Sequence, residues 1–146
     1  MNIMTKNFGK IEVNENQIIY FEEGIPGFRD LKEYVLIEDT ESAFCYLQSI
    51  QEGNISFIMI NPYLLKKDYT INIKEQYIEA LGGGEDKEFS IYVIATILDT
   101  VEKATVNLVA PVLIQNEKRQ GMQIILENTK YTTRHKIIDL MNEGGC

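Results

Sequence analysis

Residues 110–126 read APVLIQNEKRQGMQIIL, running from Ala110 through Gln115 to Leu126. Two apolar runs flank a polar stretch at 116–120, whose first residue, Asn116, suits a reversal, so the segment predicts a β-hairpin. Pro111 marks an edge, a strand start or a bulge, because proline has no N–H to give to a sheet ladder. Similar β-rich runs recur at close spacing over residues 17–22, 34–38, 44–50, 55–60, 89–98 and 105–115. Turn chemistry at residues 24–27, 39–42 and 52–54 separates them. Within the first of these, Pro26 presets one central turn residue, Gly27 supplies a positive φ at the next, and Phe28 is expected to return to the core. The pattern predicts a mostly β fold, a small antiparallel barrel-like domain with one short helix.

That helix is expected where Ile73, Tyr77, Ile78 and Leu81 share a face at helical spacing. Asn72 is the N-cap candidate, with Glu75 three residues on in a capping-box arrangement, and Gly82 takes the left-handed C-terminal position. Gly82, Gly83, Gly84, Glu85 and Asp86 then read as a flexible acidic loop; they lack the Gly-Lys-Ser/Thr ending of a phosphate cradle. Residues 137–141 fit either a short amphipathic helix or a frayed end. One domain is expected over residues 1–140, followed by a disordered tail at 141–146.

The chain has 146 residues, 45% of them hydrophobic, which suffices for a core without disulfide or metal staples. Its formal charge of -8 opposes phosphate backbones and anionic lipid surfaces, which argues against direct nucleic-acid or membrane binding. Residues 1–60 hold ten acids and four bases, a net -6, so a basic partner would favour that half. Cys45 and Cys146 form neither a disulfide framework nor a metal-ligand spacing. Neither a signal-peptide core nor a membrane-length apolar run is present, and a cytoplasmic protein is expected.

Candidates for chemistry are few. A single histidine, His135, excludes a His-based metal cluster, and its neighbours Arg134 and Lys136 suit a solvated segment. Cys45 lies in an apolar stretch with no base beside it in sequence to activate it. The pairs Glu22-Glu23, Glu38-Asp39 and Glu85-Asp86 sit beside turns, where solvated charges belong, and none has a calcium-loop pattern. The expectation is a non-enzyme without cofactor or metal. Phe44, Tyr46 and Gln48 share one strand face and could present a ring to a partner, although strand aromatics chiefly pack against cross-strand neighbours.

Several separated segments resemble, in order, the flagellar assembly factor FliW family. They are Ile18-Ile19-Tyr20-Phe21 with Gly24-Ile25-Pro26-Gly27-Phe28; Phe44 with Leu47-Gln48-Ser49; Asn61-Pro62-Tyr63 with Asp68-Tyr69; the stretch Thr105-Val106-Asn107-Leu108-Val109-Ala110-Pro111; the strand from Gly121 to Glu127; and Tyr131-Thr132-Thr133-Arg134-His135. The resemblance spans about residues 8–136. It implies a compact barrel-like protein without enzymatic activity that acts in the cytoplasm by switching partners. Two partners are implied, flagellin before its export and the carbon storage regulator CsrA, an RNA-binding repressor of flagellin translation.

Net charge suits that role, since an acidic surface can meet a basic RNA-binding protein and repel its RNA. Turn placement makes Glu22, Glu23, Glu38 and Asp39 the expected electrostatic rim, with Phe28, Asn61 and Tyr63 as expected anchors. Two alternatives stand beside this reading. One is a flagellin-only export chaperone without the repressor branch. The other is a small β-barrel ligand-binding protein or enzyme, which requires a ligand-sized cavity.

Overall fold

A computed structural model describes residues 1–144. Seven strands close on themselves: β3 (Ile18–Tyr20), β4 (Glu33–Glu38), β5 (Phe44–Ser49), β6 (Ser56–Ile60), β7 (Phe89–Thr96), β9 (Val112–Gln115) and β10 (Gln120–Gln123). Closure follows because β7 pairs with β6 on one edge and with β9 on the other. The fold is therefore the mostly β barrel that the run spacing predicts. The expected hairpin is β9–β10, with Gln115 opposite Gln120, and Pro111 stands just before the first strand residue.

Antiparallel pairing holds around the barrel except at one seam. Gln120 and Tyr20 pair in parallel, beside a hydrogen bond from Tyr20 N to Arg119 O of 2.9 Å. No hairpin joins β3 to β10, so no tight turn dictates opposed directions there.

The run expected over 105–115 is broken. Thr105–Val106 forms β8, opposite Thr96 and Ala95, and Asn107 N still reaches Ile94 O at 3.0 Å. Val112 then resumes opposite Tyr92, so residues 108–111 bulge out against a single β7 position. Asn107 Oδ1 accepts from Ala110 N at 3.0 Å, and Pro111 has no ladder donor, so both favour this departure. His135–Lys136 pairs with β8 as β11.

Residues 1–12 fold as an additional hairpin, β1 (Asn2–Thr5) with β2 (Gly9–Glu12), which the run pattern does not single out. Ile3 and Val13 bury against Val35, with Ile11, Ile18 and Ile37 around them, on the outside of the barrel. The barrel interior is a separate cluster that includes Ile19, Phe21, Tyr34, Leu47, Met59, Val112 and Ile114. A third cluster covers the far side, where Leu65, Tyr69, Leu81, Leu108 and Leu140 meet.

Two α-helices complete the fold, α1 (Glu75–Ala80) and α2 (Ile137–Gly144). The N-cap of α1 is Lys74 rather than Asn72, and no side chain caps it. Its C-terminus meets expectation: Gly83 N reaches Ile78 O at 2.8 Å and Gly82 N reaches Glu79 O at 3.1 Å, the paired bonds of a Schellman motif. The glycine loop that follows is tied down rather than loose, because buried Gln115 donates to Gly83 O at 2.9 Å. The tail expected from Met141 is helical as far as Gly144, since burial of Ile137 and Leu140 anchors α2; residues 145–146 lie outside the described part. No helix among the described residues is long and apolar enough to cross a membrane.

Candidate protein-interaction surface

The bulge at 108–111 forms the base of the most distinctive surface. Leu108 O accepts a hydrogen bond from the buried Tyr69 hydroxyl at 2.7 Å, which pins Tyr69 beneath two more rings. Tyr63 meets it edge-on at 5.7 Å and Tyr131 tilts over it at 4.9 Å, with His135 6.3 Å beyond Tyr131. Thr70 N donates to the Tyr131 hydroxyl at 3.0 Å, and Thr132 N donates to His135 Nε2 at 2.8 Å. Asn61 Oδ1 accepts from Tyr63 N at 2.9 Å and so caps the 3-10 turn Pro62–Leu64 that carries Tyr63.

Burial pushes the Tyr69 and Tyr63 hydroxyls above the ordinary tyrosine value, and Tyr131 nearby adds to both shifts. Neutral phenols suit packing and hydrogen bonding rather than nucleophilic work. Beside this aromatic row lies a groove of about 750 Å³ bordered by Lys66, Asp68, Thr70, Lys130 and Glu143. An adjoining groove of about 480 Å³ runs between Leu64 and Met141. Leu64 is 64% exposed, Met141 59% and Tyr63 38%, so large apolar groups stand in solvent around polar walls, the composition of a protein-contact surface.

The seven expected contact residues separate into two groups. Glu38, Asp39, Asn61 and Tyr63 lie where β4 and β6 end, whereas Glu22, Glu23 and Phe28 lie between β3 and β4. Asp39 holds its own turn, accepting from Glu41 N at 3.0 Å and Ser42 Oγ at 2.9 Å. Glu22, Glu23 and Glu38 are exposed. In the Pro26-Gly27 turn, Ile25 rather than Phe28 enters the core; Phe28 is 37% exposed and meets Phe57 edge-on at 5.4 Å. Leu64 and Met141 were not among the expected contacts. The signal for Met141 was the alternation in α2, where Ile137 and Leu140 are buried while Ile138 and Met141 are exposed.

Cys45 is buried, its thiol 3.6 Å from Met59 O. Burial, reinforced by Glu38, pushes its pKa up to about 12, which suppresses the reactive thiolate. The ring of Tyr46 is covered by Phe8 of the N-terminal hairpin at 5.1 Å, so it is not presented to a partner. Among the described residues, no group of three His, Cys, Asp or Glu side chains is placed to hold a metal ion.

The chain is similar to known proteins over nearly its whole length. The family model described as FliW protein matches residues 2–137. A flagellar assembly factor FliW of Thermoanaerobacter pseudethanolicus is 44% identical over 141 residues, covering 95% of this chain and 94% of that protein. Its counterpart from Geobacillus kaustophilus is 38% identical over 137 residues, with 94% and 95% covered. A crystal structure of the flagellar assembly factor FliW superimposes with a TM-score of 0.89 at 38% identity, covering 94% of this chain and 96% of that one.

Proposed function

This chain belongs to the FliW family, and from that premise we propose that it is a non-enzymatic flagellar assembly factor that works in the cytoplasm by exchanging one protein partner for another. In this reading it holds flagellin before export, and when flagellin has left it captures CsrA, so that flagellin synthesis follows export. The observation that carries the reading is the convergence of segments 61–63, 68–70 and 131–135 and of Leu108, far apart in sequence, on one aromatic row whose outer ring, Tyr63, is exposed. The formal charge of -8 supports the repressor branch, because acidic surface attracts a basic RNA-binding protein and repels RNA phosphates. The lumen that a ligand-carrying barrel needs is filled by Phe21, Tyr34, Leu47 and Met59, which weighs against that alternative.

Calorimetric titration of the purified chain with CsrA, repeated with flagellin already present, tests the proposal. Binding to CsrA that flagellin suppresses is the expected result. Binding to flagellin alone would leave the export-chaperone alternative, and binding to neither would overturn both.

A further inference from the structure

A third groove, of about 540 Å³, shares no lining residue with the two beside the aromatic row and has a different chemistry. Its apolar lining comes from Ile25, Pro26, Phe57 and Ile94, and its charge from Lys103 and Arg134. Although the chain has 22 acidic residues, none lines this groove among the described residues. Leu98, 83% exposed, lines it as well. Asn107 and Gln123 also line it. Each uses one amide atom on Ala110, Asn107 Oδ1 accepting from Ala110 N and Gln123 Nε2 donating to Ala110 O at 2.9 Å, and a primary amide has a second polar atom.

Local charge reversal within an acidic protein is a selective feature. Two cations are too few to hold a nucleic acid against a net charge of -8. A small anion would need converging buried donors, whereas Lys103 and Arg134 are both exposed. An extended chain segment fits the whole lining: apolar side chains against Phe57 and Ile94, backbone polar groups to the two amides, and carboxylates to Lys103 and Arg134. Asp99 stands 3.7 Å from Lys103 Nζ in an exposed i,i+4 pair, which a ligand carboxylate can displace because such pairs are weak.

We propose that this groove binds an extended peptide segment in which one or two carboxylates sit beside apolar side chains. The proposal deepens the partner-exchange reading, on which it rests, by giving one partner an acidic, apolar docking segment and a groove whose lining is distinct from those beside the aromatic row.

The test is selection of a displayed library of random dodecapeptides on the purified full chain, followed by fluorescence titration of the selected peptides. Selected sequences are expected to combine Asp or Glu with Leu, Ile or Phe. They should bind a Lys103→Glu, Arg134→Glu double variant about tenfold more weakly, and an Arg134→Lys variant nearly as well as the parent. Thermal melts establish that the variants, both at exposed positions, remain folded. Selection of basic peptides, selection of none, or binding unchanged in the double variant would overturn the proposal. If the peptides fail while CsrA and flagellin still bind by calorimetry, the groove assignment falls and the partner-exchange reading stands.

Discussion

Gly121 lies directly against the ring of Phe21: a Cβ at position 121 would stand 2.5 Å from Phe21 Cζ. Phe21 is fully buried and packs edge-on to Tyr34 at 5.2 Å, so the ring has little room to withdraw. Replacement Gly121→Ala should cost roughly 1–3 kcal/mol through overpacking. Urea denaturation checks the size of the effect, and the double variant with Phe21→Leu should lose less than the sum of the two single changes.

Tyr69→Phe removes the donor to Leu108 O and leaves that buried carbonyl without its partner. The expected loss is about 1–3 kcal/mol, with the barrel intact by circular dichroism. Because the same bond holds the aromatic row over the bulge, partner affinity measured by calorimetry should fall as well. Unchanged affinity in a folded Tyr69→Phe protein would remove the row from the contact surface.

The expected contacts divide by what their side chains already hold. Asn61→Ala should cost about 1 kcal/mol of stability, since Asn61 caps the turn that carries Tyr63. Glu22→Lys with Glu23→Lys should leave stability nearly unchanged and slow association with CsrA, most strongly at low salt, as read by stopped-flow kinetics. Slowing that is identical at high salt would speak against electrostatic steering.

Cys45 should resist thiol reagents in the native state. A Cys146→Ser variant isolates its signal, and modification is expected only upon unfolding, measured as the rate of reaction with a disulfide reagent with and without urea. The pH dependence follows from the direction of the shift. Burial raises the Cys45 pKa from 9.0 to about 12 and that of Tyr34 from 10.0 to about 12, so the unfolded chain loses these protons first. Their contribution to stability is complete below about pH 9 and is lost as pH rises towards 12, a decline that alkaline denaturation should follow.

Much of the barrel was legible because local chemistry and tertiary packing agree. The runs that became β4, β5 and β6 carry side chains for both faces of a covered sheet, and Pro26-Gly27 turns as its residue types require, with Gly27 at φ 90°. Features depending on distant partners were not legible. The N-terminal hairpin is held by Val35 and Ile37, which lie beyond its own segment. The break after Val106 arises from Asn107 and Pro111 acting together inside an otherwise continuous apolar run. Turn placement suggested Asn61 and Asp39 as contacts, but each side chain is engaged in its local turn. The residues of the aromatic row stood in plain view in sequence, yet their meeting depends on a bulge in a different segment, whose Leu108 carbonyl holds Tyr69.

The parallel seam has a consequence for how the molecule is made. Tyr20 and Gln120 lie far apart in sequence, so the barrel cannot seal until residue 120 has left the ribosome. Until then the β3–β6 meander has an open edge on β3, and shutting so long a loop is entropically slow. Nascent copies of this chain therefore carry an unpaired strand edge until residue 120 is available, an opening for pairing with other chains.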